Sequence, residues 1–167
     1  MNYVMVLLLM IFPPYKAFKH FCNLVISRNF LYKTYLFNRK YLTQINSVLE
    51  QMVKKHYPKT YDYLKQARLE LWHIFWIEWV YAMFLRTFDL RTSIRMWDFM
   101  LVKGEQFICS LNHAIFGVIN DNLENLNKHN FCQEAKLLIV AKYKDVIERA
   151  NYRMKHESDE TESKKIH

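Results

Sequence analysis

Glycine and proline are scarce in this sequence. The chain of 167 residues has two glycines and three prolines, whereas hydrophobic residues make up 51% of it and aromatic residues 16%. Turns and sheets depend on the scarce residues, because glycine and proline supply the backbone conformations that tight turns need. The composition therefore predicts an all-α protein, and the length suffices for one domain with its own core.

Cysteine is also rare, with three residues far apart along the chain. Cys22, Cys109 and Cys132 each lie among apolar neighbours, which is more typical of small buried side chains than of disulfides. No two cysteines and no two histidines fall at the spacing of a zinc site. We therefore expect no metal, no cofactor and a reducing, cytoplasmic setting.

Positive charge is in excess, but it is not concentrated in a run. The formal net charge is +8, and the 24 lysines and arginines are spread from Lys16 to Lys165. No zinc-ligand spacing and no nucleic-acid-binding motif accompanies them. We therefore expect no nucleic-acid partner.

An apolar run lies at the start of the sequence, from Tyr3 to Phe12. It is much shorter than the roughly 20 residues that span a bilayer. No positive residue precedes it and no small-residue cleavage site follows it, so it is a poor signal peptide. We interpret it as a buried core helix, with a secretory signal or a membrane anchor as the alternative.

Apolar residues recur at spacings of three and four through most of the chain, which predicts seven to nine helices. Pro14 and Pro58 are placed to begin two of them, because proline fits the first turn of a helix. Residues 69–88 predict a central, mostly buried helix. Asp89 is placed to cap the next helix, whose predicted inward residues are Leu90, Ile94, Trp97 and Leu101. The helix after that is predicted to bury Ile108, Leu111, Ile115 and Ile119.

The carboxyl-terminal part of the sequence divides into an apolar and a polar segment. Residues 126–154 predict a terminal helix that closes or extends the domain formed by residues 1–125. Residues 155–167 are too polar to pack, so we expect them to be a disordered, charged tail.

The most specific pattern in the sequence lies between residues 79 and 104. A tryptophan is followed five residues later by a phenylalanine, then by an Arg-Met-Trp-Asp run and by a glycine. This order resembles that of the TBC domains of Rab GTPase activators, in which W-x4-F precedes R-[IV]-W-D and a later glycine. Aromatic residues at helical spacing are more often core than contact, so we expect structural roles for the motif residues. These are Trp79, Phe84, Arg95, Trp97, Asp98 and Gly104.

Two further stretches share the resemblance. Tyr57 and Pro58 follow a predicted helix, similar to the proline-containing link that precedes the family's tryptophan helix. Met1 and Asn2, followed by two hydrophobic helices, look like the family segment after Y-x-Q-G-M-N. The resemblance then implies that residues 1–125 are the carboxyl-terminal part of a TBC domain that is incomplete at its amino terminus.

The two catalytic motifs of the family do not occur in this sequence. The resemblance implies an arginine in I-x-x-D-x-x-R and a glutamine in Y-x-Q, which together act on the GTP bound to the Rab. No aspartate here has an arginine three residues later, and no tyrosine has a glutamine two residues later. We therefore expect no catalytic residue in this chain and no activity of its own.

The resemblance implies a regulator of Rab-type GTPases in vesicle traffic, not itself an enzyme. Such a protein would be cytoplasmic, and would reach endomembranes peripherally through its GTPase. Two alternatives remain open at this point. One is a non-catalytic helical module that binds a GTPase or a scaffold, and the other is a helical protein anchored in a membrane by residues 3–12.

Overall fold

The structure is a computed structural model that describes residues 2–26, 30–36, 38–71, 79, 81–82 and 84–163. Across these residues it has nine α-helices and one short 3₁₀ helix, and no strand. The predicted all-α fold class is therefore confirmed.

The helices follow one another with short connections. In chain order they are α1 (Asn2–Ile11), α2 (Pro14–Ile26), α3 (Phe30–Tyr35), α4 (Arg39–His56), α5 (Pro58–Gln66), α6 (Leu90–Lys103), α7 (Glu105–Asp121), α8 (Phe131–Ala141) and α9 (Tyr143–Ser163). The 3₁₀ helix is Leu123–Asn125. Pro14 and Pro58 each occupy the first residue of a helix, as predicted.

The chain divides into two compact units that alternate along the sequence. Unit 1 consists of residues 1–50 and 69–98, and unit 2 of residues 51–68 and 99–167. In unit 1, α1 packs on α2 and α2 packs on α3. In unit 2, α7 is central and contacts α5, α8 and, most extensively, α9.

Helix α1 is buried on one side only. Val4, Leu7 and Leu8 are buried, but Val6 and Met10 on the opposite side are exposed. The helix predicted to lie buried in the core therefore packs there on one side only, because α1 is apolar all round and only one of its sides meets the unit. None of the described helices combines the length and the hydrophobicity needed to cross a membrane.

The predicted helix over residues 69–88 does not extend to its expected end. Trp72 and Trp76 lie outside the described residues. Trp79 and Tyr81 are in a π-helical turn, and residues 84–87 form turns. Phe84 has a φ of +61°, a left-handed conformation that interrupts a right-handed helix. Asp89 then caps α6, because its Oδ1 accepts a hydrogen bond from the N–H of Thr92 at 3.0 Å.

Helix α6 is rotated relative to its predicted orientation. Its buried residues are Ser93, Met96, Trp97 and Met100. Of the four residues predicted to face inward only Trp97 is buried, whereas Leu90 and Leu101 are exposed. Both sets obey the same helical spacing and share Trp97, so periodicity alone did not distinguish them.

Unit 2 is organised around a helix whose buried face matches the prediction. Ile108, Leu111, Ile115 and Ile119 of α7 are all buried. Two hydrogen bonds join α5 to the end of α7 and to the segment that follows it. The Thr60 hydroxyl donates to Asn120 Oδ1 at 3.0 Å, and the Tyr63 hydroxyl donates to the Leu126 carbonyl at 2.5 Å.

The carboxyl-terminal residues differ from the prediction in two ways. Two helices, α8 and α9, replace the single predicted one, and both pack within unit 2. Helix α9 continues to Ser163, through most of the segment expected to be disordered. That segment has no glycine or proline and is rich in Glu and Lys, which are favourable in helices.

The cysteines are less buried than their apolar neighbours suggested. Cys109 and Cys132 are exposed and Cys22 is half-buried. In α8 the buried stripe is Phe131, Ala135 and Ile139, which leaves Cys132 on the outer side. Adjacent residues in a helix point in directions about 100° apart, so apolar neighbours along the chain do not imply burial.

Candidate functional site

The aromatic residues of the W-x4-F and R-x-W-D pattern lie in the interior. Trp79, Phe84 and Trp97 are 1%, 0% and 3% exposed. The N–H of Phe84 donates to the carbonyl of Trp79 at 2.8 Å, and the rings of Phe84 and Phe88 lie 6.1 Å apart. The five-residue spacing is thus the span of one backbone hydrogen bond that ends the π-helical turn.

The charged members of the pattern lie on the surface. Arg95 and Asp98 are both exposed on α6. They lie three residues apart, but no ion pair joins the two side chains. The structure therefore gives them no shared role in holding α6 in place.

Gly104 joins α6 to α7 without a loop. Its φ is +62° and ψ is −141°, and its N–H donates to the carbonyl of Met100 at 2.9 Å. This backbone conformation is strained for any residue that carries a Cβ. Glycine at position 104 therefore lets α7 begin directly after α6.

A groove in unit 2 is the feature that the sequence did not predict. It has a volume of about 970 Å³ and lies between the end of α4, α7 and α9. We call it the α7–α9 groove. It is lined by Lys55, His56, Tyr57, His113, Ala114, Asp145, Glu148, Arg149, Tyr152, Arg153 and His156.

At the base of the α7–α9 groove a tyrosine binds a histidine. The Tyr57 hydroxyl donates to the carbonyl of His113 at 2.9 Å and lies 2.5 Å from Nδ1 of the same residue. The Tyr57 hydroxyl therefore contacts both the backbone and the ring of His113. The rings of His56 and His113 meet edge to face, with centroids 4.9 Å apart.

This arrangement keeps His113 neutral. Its Nε2 atom is buried and has no hydrogen-bond partner among the residues that the structure describes. Burial, which is the largest cause, lowers the pKa of His113 from 6.5 to about 4 together with the positive charge of Arg153 and the proximity of His56. Burial also raises the pKa of Tyr57 to about 12. The pair is therefore a fixed hydrogen-bonded unit at neutral pH.

Arg149 also lines the α7–α9 groove, and two carboxylates bind it. Its guanidinium binds both oxygens of Asp145, at 2.7 and 3.1 Å, and Oδ2 of Asp121 at 2.8 Å. These hydrogen bonds raise the pKa of Arg149. Gly117 allows the Tyr57 hydroxyl and the Arg149 guanidinium to approach α7 closely. A Cβ at position 117 would lie 3.2 Å from the Tyr57 hydroxyl and 3.3 Å from Nη1 of Arg149.

The α7–α9 groove has the features of a structural junction with a polar surface. The free nitrogen of His113 is buried, so it cannot reach a substrate, and Arg149 is already neutralised. Within the described part of the chain, no cluster of three metal-binding side chains exists here or elsewhere. No motif signals the groove, because Tyr57 and His113 are 56 residues apart and meet only in the fold.

Comparison with known proteins gives one result. The model of the RabGAP-TBC family, described as the Rab-GTPase-TBC domain, matches residues 1–124 of the 167. Neither the curated proteins nor the solved structures gave a match. The matched region contains α1 to α7 and every residue of the pattern between positions 79 and 104. The chain therefore belongs to the Rab-GTPase-TBC domain family.

Proposed function

We propose that this chain binds a Rab-type small GTPase and does not itself accelerate GTP hydrolysis. Family membership supports the first half, since TBC domains are the domains of Rab GTPase-activating regulators. The second half rests on one observation: neither D-x-x-R nor Y-x-Q occurs anywhere in the sequence.

The chemistry explains why both motifs matter. GTP hydrolysis develops charge on the transferred phosphoryl oxygens, and an arginine supplied in trans accelerates it by roughly 10³–10⁵. A glutamine must also orient the attacking water. A chain without both groups can bind the GTPase yet leave the barrier to hydrolysis unchanged.

Two of the described arginines are poor replacements for the missing one. Arg149 donates from all three guanidinium nitrogens to Asp121 and Asp145, so its charge is already compensated. Arg95 is exposed, but it projects from the middle of a helix and not from a loop. We therefore assign to the motif residues Trp79, Phe84 and Trp97 the role of maintaining the fold that presents the Rab-binding surface.

The proposed setting follows from the partner. Rab-type GTPases act in vesicle traffic, so the chain would work in the cytoplasm and at endomembranes where its GTPase resides.

The test separates binding from catalysis. A panel of Rab GTPases is loaded with GTP, and single-turnover hydrolysis is measured with and without the full chain. Binding to the same Rabs is measured with a non-hydrolysable GTP analogue. A TBC domain that contains both catalytic motifs is the positive control.

We expect at least one Rab to bind in its GTP state while its hydrolysis rate stays unchanged. Stimulation of about a hundredfold or more would overturn the proposal. Arg95→Ala would then show whether that exposed arginine supplies the charge. Failure to bind any Rab of the panel would overturn the binding half.

A further inference from the structure

Helix α1 presents an apolar surface to solvent. Val6, Leu9 and Met10 are 55%, 47% and 61% exposed, on the side opposite the buried Val4, Leu7 and Leu8. The helix contains no charged residue at all. Exposed apolar surface of this kind marks a site of contact with a protein or a membrane.

Helix α2 continues the apolar surface and adds charge to it. Tyr15, Phe18 and Ile26 are 79%, 60% and 69% exposed. Lys16 and Lys19 are exposed on the same helix. The rings of Phe12 and His20 pack at 4.6 Å and α1 contacts α2, so the two helices form one hairpin.

The charge of this region has a single sign. No aspartate or glutamate occurs before Glu50, whereas six lysines and arginines do, which accounts for six of the eight net positive charges. The cations of this region whose side chains the structure describes are all exposed. They are Lys16, Lys19, Lys33, Arg39 and Lys40.

We propose that the α1–α2 hairpin docks on the surface of an anionic lipid bilayer. Its exposed apolar side chains enter the boundary between headgroups and acyl chains, and its lysines contact the anionic headgroups. Basic residues beside apolar ones are the pattern of segments that lie in a membrane interface. Since none of the described helices can cross a bilayer, the hairpin lies on the membrane and does not pass through it.

Charge complementarity favours the membrane over a protein partner. A protein interface surrounds its apolar centre with a polar rim, whereas here every charged residue before Glu50 is positive. A surface of one sign is suited to the uniformly negative potential of anionic lipids. This inference does not rest on Rab binding, because it uses neither a GTPase nor the α7–α9 groove.

The test is co-sedimentation of the full chain with vesicles, without any GTPase. One set of vesicles is phosphatidylcholine alone, and the other contains phosphatidylserine as well. We expect binding to the second set to be at least about tenfold stronger, and to weaken as salt is raised. Equal binding to both sets, or no binding to either, would overturn the proposal.

Two variants test the two parts of the surface. Lys16→Glu with Lys19→Glu should lower binding to phosphatidylserine vesicles at least about tenfold, because each basic residue contributes to attraction at the surface. Val6→Ser with Met10→Ser should lower binding by a similar factor through lost apolar contact. All four residues are exposed, and an unchanged melting temperature verifies that the variants fold.

Matched substitutions in unit 2 serve as controls. Leu137→Ser and Lys144→Glu change residues of the same exposure class and should leave vesicle binding unchanged. Sedimentation velocity without lipid tests the competing occupant, a second copy of the chain. A dimer that Val6→Ser with Met10→Ser dissociates would assign the face to self-association and overturn the membrane proposal.

Discussion

The N–H of Phe84 donates to the carbonyl of Trp79 at 2.8 Å, and Phe84 itself adopts a φ of +61°. A bulky residue in this left-handed conformation is strained by about 1–2 kcal/mol. Its side chain is fully buried, so packing must offset the strain. The spacing of Trp79 and Phe84 is thus linked to the hydrogen bond between their backbones and to the unfavourable φ of Phe84.

We predict that Phe84→Gly destabilises the protein no more than Phe84→Ala does. Alanine should cost about 3–5 kcal/mol through the lost side chain, and it keeps the strain that glycine relieves. Denaturant unfolding measures both. The control is Met96, which is also buried but lies within α6, where glycine should cost about 1 kcal/mol more than alanine. If Phe84→Gly were also less stable than Phe84→Ala, the argument from the left-handed backbone of Phe84 would be wrong.

Trp97 and Leu101 should differ sharply, although both were predicted to face inward. Trp97 is 3% exposed, so Trp97→Ala should cost about 3–5 kcal/mol of unfolding free energy. Leu101 is exposed, so Leu101→Ala should cost about 0.5 kcal/mol or less. A Trp97→Ala protein that melts like the wild type yet fails to bind a Rab would show that this tryptophan acts in contact and not in the core.

Gly117 and Tyr57 should be energetically coupled. In Gly117→Ala the new Cβ would press on the Tyr57 hydroxyl at 3.2 Å, which offsets the gain of about 1 kcal/mol from alanine's helix propensity. In a Tyr57→Phe background the hydroxyl is gone, so Gly117→Ala should become more favourable by about 0.5 kcal/mol or more. A double-mutant cycle measures this difference. Additive effects would mean that the contact does not matter.

Gly104→Ala should destabilise for a different reason. No atom lies within 4 Å of its Cβ position, so crowding plays no part. The φ of +62° is the cause, and we expect a loss of about 1–3 kcal/mol. Tyr57→Phe should leave this loss unchanged, which separates the effect from that at Gly117 in the same set of unfolding measurements.

His113 should make the protein less stable as the pH falls. Its pKa is about 4 in the folded protein and 6.5 as the ordinary value, so the unfolded chain binds a proton that the folded chain does not. The stabilisation is complete above pH 6.5 and declines as the pH falls from about 6.5 to about 4. Unfolding free energies at several pH values should show a shallower decline in His113→Gln than in the wild type. His129→Gln, at an exposed histidine, is the control and should follow the wild type.

Sequence patterns within a few residues predicted where helices begin, but they did not reliably predict which side of a helix is buried. The prolines predicted the first residues of α2 and α5, and Asp89 predicted the start of α6, because these signals act on the nearest turn. For α6, the predicted and the observed buried faces share only Trp97. The inward face of α7 was correct, because α7 is buried over most of its circumference and only the side of Gln106 and Cys109 is exposed.

The sequence by itself determined the all-helical fold and the helix boundaries set by proline and by the capping aspartate. It also carried the pattern that placed the chain in its family. These features depend on backbone sterics and on periodicity within one helix, which residues close in sequence dictate. Only the tertiary structure decided that Phe84 is left-handed, that α1 is covered on one side, and that Tyr57 meets His113. Each of these depends on which surfaces pack together, and residues tens of positions apart determine that choice.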